Sequence, residues 1–290
     1  MKNKKKTYFQ VLISIFFLIF LFYFVKPRKI IDALQYAEVF WILLAILLLP
    51  VNMCFQFFRW KILVKNCNPN ITNAEILKSI FYSYSYSIFT PARLGDIGKA
   101  FHISHDSKRE VVALAVLEKV FAFSSILIFG FVSLAIYKNI WFIFGFFLVI
   151  TLLLFSKNII RKTSFLSKHF SNPQYLPIMS LLGVSVSFVF VYILQFYLLL
   201  HAFQLVIFSH AFFRISLVVF LNSVPITMSG LGVREILSIY FFKSLGISAA
   251  QAASASLLIF SINILIPTFI GFILHFLPHK KVGKNSQKKS

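Results

Sequence analysis

The chain has 290 residues, of which 59% are hydrophobic, 18% aromatic and only 13% charged, with 38 Phe among them. No soluble core can bury that much apolar surface, so a water-soluble fold is excluded. The formal net charge of +21 is spread over short loops and tails between apolar runs, which argues against a nucleic-acid partner and for loops that face anionic lipid headgroups.

Each apolar run, at a rise of ~1.5 Å per residue, is long enough for the ~30 Å hydrocarbon layer, and the weak alternation of barrel strands is absent. The reading is an all-α polytopic membrane protein with about six transmembrane helices and two re-entrant or broken hairpins. A single transmembrane domain covers residues 1–279, and a basic tail without fold covers 280–290.

The first run, Tyr8 to Val25, follows Lys2 to Lys6 and ends at Lys26-Pro27-Arg28 instead of a small-residue cleavage site, so it reads as a retained helix. Residues 26–36 form an external loop, and the second span is 37–58. A basic loop, 59–66, then returns to the cytoplasm. Cys54 and Cys67 suggest neither a disulfide framework nor a metal site.

The stretch 74–106 is apolar but broken by Thr90-Pro91-Ala92-Arg93-Leu94-Gly95-Asp96-Ile97-Gly98-Lys99. Pro91, Gly95 and Gly98 free backbone groups, which membrane depth tolerates only inside protein or beside a wet cavity. Arg93, Asp96 and Lys99 are therefore expected to line such a cavity. His102 and His105 share a helical face, but no third acidic ligand is placed for a metal.

The third span, 111–135, contains Glu118-Lys119. Glu118 lies about 12 Å into the helix, near the bilayer centre, where a charge must find a partner. Adjacent residues do not face each other, so Glu118 and Lys119 need different partners, with Arg93, Arg214 and Arg234 as candidates for the carboxylate. Span 140–156 follows, then an amphiphilic stretch from Lys157 to Pro177 suited to the headgroup region, then span 178–201.

The second interrupted stretch, 209–247, holds Pro225-Ile226-Thr227-Met228-Ser229-Gly230-Leu231-Gly232-Val233-Arg234-Glu235. Pro225, Gly230 and Gly232 break the helix, and Arg234 and Glu235 supply charge. Matching Gly95 to Gly232 gives an offset of 137 residues, which also carries Ala113 and Ala115 onto Ala250 and Ala252 in the last span, 249–275. Units 74–135 and 209–275 thus read as an inverted repeat.

The Pro-x-Arg-x-Gly-Asp hairpin, the Glu-Lys in the next span and the late Gly-Leu-Gly-Val-x-Glu before an Ala-rich span together resemble the transmembrane region of lysylphosphatidylglycerol synthases, a flippase-like family. The likeness covers nearly the whole chain. In the multiple peptide resistance factors this region is associated with translocating aminoacylated phosphatidylglycerol, while a separate cytoplasmic domain makes the lipid. The resemblance implies a stand-alone translocator, because the chain stops just after the last span.

The expected function is thus to bind or translocate an anionic phospholipid or polyprenyl-phosphate-linked lipid, with membrane lipids as partners and Arg93, Asp96, Lys99, Glu118, Arg234 and Glu235 at the site. Gly95 and Gly232 would add helix N-termini facing the phosphate. No cofactor, metal or catalytic residue is expected. A transferase using Asp32, Glu38 or Asp96, or a non-catalytic envelope scaffold, is the alternative.

The expected location is the inner membrane, with both termini cytoplasmic. About 18 of the 29 Lys and Arg then lie inside, and only Lys26, Arg28, Lys29 and Lys138 outside. Residues 1–7, 157–177 and 279–290 face the cytoplasm, and 26–36 and 202–208 face outward. In a cysteine-free background, an impermeant thiol reagent applied to intact cells should label Asn139→Cys but not Ser167→Cys. Labelling of the second would invert the topology.

Overall fold

Backbone polar groups in hydrocarbon must be paired within their own segment, and the chain meets that demand with helices alone among the described residues. The computed structural model describes residues 27–90, 93–154, 177–227 and 229–276. The expected first span 8–25, residues 157–176, the tail from 280, Pro91 and Met228 lie outside them.

The elements in chain order are α1 (Pro27–Gln35), α2 (Val39–Cys67), α3 (Asn73–Ser87), a 3-10 helix (Leu94–His102), α4 (Lys108–Tyr137), α5 (Ile143–Leu154), α6 (Ile178–His201), α7 (Phe208–Asn222), α8 (Val233–Phe242), α9 (Ala249–Phe260) and α10 (Ile266–Phe276). A π-helical segment, Ser261–Leu265, joins the last two into one run. Pro267 lacks the N–H that would close the preceding turn, and the wider π turn precedes it. Among the described residues, four helices are long and apolar enough to cross a bilayer: α2, α4, α6 and the α9–α10 run.

Two expectations change. The span read as 37–58 continues to Cys67, because Trp60, Leu63 and Val64 keep an apolar face turned into the core. Arg59 is therefore inside a helix and not in a solvated loop. The external loop 26–36 is largely a short helix, α1, whose Ile30 packs on Ala253. In the expected span 140–156, a 3-10 turn at Ile140–Phe142 leads straight into α5, and residues 155 and 156 lie outside the described residues.

Helices α2 and α6 pack on each other and contribute to both of two half-cores. Trp60, Ile80, Leu114, Phe121 and Leu181 fill one, and Phe196, Ile215, Val218, Phe242 and Ile259 fill the other. An amide triad ties the middle together. Asn52 bonds Gln195 and lies 3.2 Å from Asn263 Oδ1, and Asn263 donates to Gln195 at 3.0 Å.

Both interrupted stretches are broken hairpins. Helix α3 ends at Ser87, and the Thr90 hydroxyl donates to the Ser87 carbonyl at 3.0 Å while accepting the Gly95 N–H at 2.8 Å. Arg93 sits in the left-handed region at φ 53° and starts the returning 3-10 helix. In the second hairpin, α7 and α8 flank a break in which Ser229 (φ 51°) and Gly230 (φ 78°) turn the chain. The breaks meet, because the Ser229 hydroxyl reaches the carbonyls of Ser87 at 3.3 Å and Ile88 at 3.2 Å.

Each hairpin leads through a capped turn into a long helix. Ser107 accepts the Glu110 N–H, and Ser248 accepts the Gln251 N–H. The two caps are 141 residues apart, four more than the glycines, because a 3-10 turn at Lys243–Leu245 extends the second unit.

A Cβ on Gly95 would lie 2.6 Å from the backbone of Tyr86 and Ser87, whereas one on Gly183 in α6 meets nothing within 4 Å. Gly95→Ala should lower the thermal unfolding midpoint of the detergent-solubilised protein, by the equivalent of about 1–3 kcal/mol. Gly183→Ala should leave it unchanged or raise it by up to about 1 kcal/mol. The opposite order would show that the 3-10 helix does not pack on α3 as described.

Candidate functional site

The site begins on α2, where Asn52, Gln56 and Arg59 recur at i, i+4 and i+7 and are all buried. On this polar stripe of an otherwise apolar span, Asn52 turns to α6 and the π segment, Gln56 to Tyr84 of the first hairpin and Arg59 to α4. Arg59 Nε donates to Glu118 Oε1 at 3.0 Å, and Lys99 from the 3-10 helix holds Glu118 Oε2. Glu118 is 2% exposed. One dry carboxylate thus sits between two cations.

One turn away lies a second, wetter group. Asp96 accepts from Arg93 at 3.4 Å and from Lys119 at 3.0 Å, and Lys119 also donates to the Arg93 carbonyl at 2.7 Å. The side chains of Arg93, Asp96 and Lys119 are 25%, 19% and 31% exposed, against 5% for Arg59 and Lys99. This is the accessible part of the layer.

The second hairpin supplies the third group. Arg234 Nη2 contacts Glu235 Oε1 at 2.7 Å, and Glu235 Oε2 accepts the Gly232 N–H at 2.6 Å. Ser256 on α9 donates to Glu235 at 2.9 Å and accepts from Arg234 Nε at 3.0 Å. Tyr192 on α6 lies in the fields of both Arg234 and Arg93, between the two hairpins.

Four of the cations also rest on aromatic faces: Arg59 on Phe188 at 5.3 Å, Lys99 on Trp60 at 4.5 Å, Arg93 on Tyr84 at 4.7 Å and Arg234 on Phe260 at 5.1 Å. A ring face replaces part of the lost hydration without adding negative charge. Tyr84 donates in turn to Gln56 Oε1 at 3.1 Å, returning the network to α2.

All six charged residues singled out from the sequence, Arg93, Asp96, Lys99, Glu118, Arg234 and Glu235, fall in this layer. The partners expected for Glu118 do not hold. Arg93 serves Asp96 and Arg234 serves Glu235, while Arg214 lies beside Tyr137, Ser244 and the His210 carbonyl at the far end of α4. Glu118 and Lys119 do take different partners, as helix geometry requires.

The helix-end reading of the glycines is also corrected. The N–H of Gly95 is taken by Thr90 and that of Gly232 by Glu235, so neither points at a ligand. Gly98 lies within the 3-10 helix against the Tyr86 ring, and Pro225 and Gly230 lie in the second break. His102 stacks with Tyr82 and Tyr86, whereas His105 bonds Ser107. Asp32 is exposed on α1, and Glu38 accepts from Trp41 at 3.0 Å.

Arg59, Gln56, Tyr84, Tyr192 and Ser256 were missed by sequence reasoning. The 52–56–59 spacing carried the signal for the first two, but ending the span at 58 hid it.

A family model described as Lysylphosphatidylglycerol synthase TM region matches residues 8–271. No curated protein matches the chain.

Glu118→Gln keeps the side chain's shape and leaves Arg59 and Lys99 without a counter-charge. The expected loss of stability is about 3–5 kcal/mol, the usual cost of breaking a buried pair, read as a lower midpoint in detergent. Adding Lys99→Met should recover part of it. A Glu118→Gln protein as stable as wild type would show that the pairs contribute nothing.

Proposed function

The chain belongs to the lysylphosphatidylglycerol synthase transmembrane-region family, and from that membership and the charged layer we propose that it binds an anionic lipid headgroup and carries it between leaflets. The observation that carries this reading is the partly exposed Arg93–Asp96–Lys119 group, set among spans at bilayer depth. Charges survive there only when they face a wet, protein-lined space.

The headgroup enters at Arg93. Arg93 Nε has no partner among the described residues, and its 3.4 Å contact with Asp96 is the longest ion pair among the Arg and Lys side chains of the layer. A phosphate oxygen forms a shorter charge-assisted bond there. Tyr192 then offers a path toward Arg234, while the acyl chains stay in lipid. This is binding and release without bond chemistry, in an inner-membrane protein with cytoplasmic termini. The meeting of the two breaks at Ser229 supplies the place where the hairpins shift.

Purified protein in liposomes should speed the transbilayer movement of at least one labelled lipid among phosphatidylglycerol, aminoacyl phosphatidylglycerol and a polyprenyl phosphate. Arg93→Gln should reduce that rate by at least about tenfold, as loss of a charge-assisted contact implies. No acceleration for any of the three would overturn the reading.

A further inference from the structure

The layer is not electrically balanced. Glu118 holds two cations, Arg59 and Lys99; Asp96 holds two more, Arg93 and Lys119; Glu235 holds one, Arg234. Five cations therefore face three carboxylates, an excess of two positive charges. The first of these excess charges sits where Arg59, Lys99 and Glu118 are all at most 5% exposed, so water does not neutralise it. The aromatic faces lower its cost but carry no charge.

The unsatisfied donors agree with the charge count. Arg59 Nη1 and Arg93 Nε are buried and have no hydrogen-bond partner among the described residues. Arg59 lies over Phe188 of α6, and Arg93 lies in the field of Tyr192, one helical turn further along α6. Ser185, one turn before Phe188, is fully buried, and its hydroxyl is also unpaired. Donors in excess and positive charge in excess both call for an anion of more than one charge.

Resting on the reading above, we infer that the headgroup is a dianionic phosphate monoester and not a singly charged phosphodiester. A monoester with its second pKa near ~6 carries close to two negative charges at neutral pH and three terminal oxygens. It closes the balance and gives the unpaired donors acceptors. A diester leaves one cation unmatched. A headgroup bearing an added amine, whose positive charge offsets its phosphate, leaves two.

The test is equilibrium binding to the purified protein in neutral-lipid nanodiscs, with dioctanoyl phosphatidic acid as the monoester, dioctanoyl phosphatidylglycerol as the diester and inorganic phosphate as the free anion. At pH 8 the monoester lipid should bind at least about tenfold tighter than the diester, and inorganic phosphate should compete only weakly. Lys119→Met, which removes one excess charge at the exposed end, should weaken the monoester lipid more than the diester and reduce the preference to within about threefold.

Wild type gives an independent check if that variant does not fold. Lowering the pH from 8 to 5 should erase the preference as the monoester takes up a proton. Protonation of Asp96, Glu118 or Glu235 would instead enlarge the cationic excess and tighten anion binding, the opposite sign. Equal affinity for the two lipids at pH 8 would overturn the inference and leave anionic-lipid binding standing. Inorganic phosphate binding as tightly as the monoester lipid would overturn a lipid ligand, and failure of all three to bind would overturn both.

Discussion

A carboxylate carried into hydrocarbon on a helix costs several kcal/mol unless cations come with it, and the pairing of Glu118 with Arg59 and Lys99 is the constraint from which the rest of the structure follows. The three groups come from α4, α2 and the 3-10 helix, so one set of ion pairs fixes two spans and the returning limb of a hairpin. Trp60 and Phe188 complete the shell from α2 and α6. None of these elements can slide by a turn without stranding a charge. The amide triad of Asn52, Gln195 and Asn263 imposes the same register on α2, α6 and the π segment.

The broken hairpins exist to deliver charge to that depth. A continuous span would place Asp96 and Lys99 in sequence along one rod. The turn at Arg93, in a conformation L-residues seldom adopt, folds the chain back so that Arg93, Asp96 and Lys99 all reach α4. The second hairpin does this with Gly230 and Gly232 and spends the freed Gly232 N–H on Glu235. The backbone cost of each break is thus offset inside the site by Thr90 in one case and by a carboxylate in the other.

Much of this was legible in residue order. Pro and Gly at bilayer depth marked both breaks, and the charges beside them marked the layer. The long helices were legible because their apolar runs exceed what any soluble helix needs. The pairing was not, because two cations at similar depth are indistinguishable in sequence. Arg234 was a reasonable partner for Glu118 until Glu235, its immediate neighbour, proved to claim it. Arg59 was lost because a basic residue after an apolar run reads as a loop, whereas Trp60 and Leu63 beyond it carry the helix on. Tyr84 and Tyr192 gave no signal, since aromatic residues are too common in this chain to single out.

The layer grades from dry to wet, and the gradient separates what holds from what exchanges. Around Glu118 every charge is at most 5% exposed, so losing any one strands another and the group acts as a lock. Glu235 and Arg234 are as dry and are braced by Ser256. Arg93, Asp96 and Lys119 keep a fifth to a third of their surface, so water can substitute for a partner while an anion arrives or leaves. Asp96 is then more than a structural counter-ion. It offsets one of the two positive charges of Arg93 and Lys119 while no ligand is bound, and its modest 3.4 Å hold on Arg93 is what an incoming phosphate must displace. A stronger pair there would close the site, and an apolar residue in place of Asp96 would leave two cations unmatched whenever the headgroup departed.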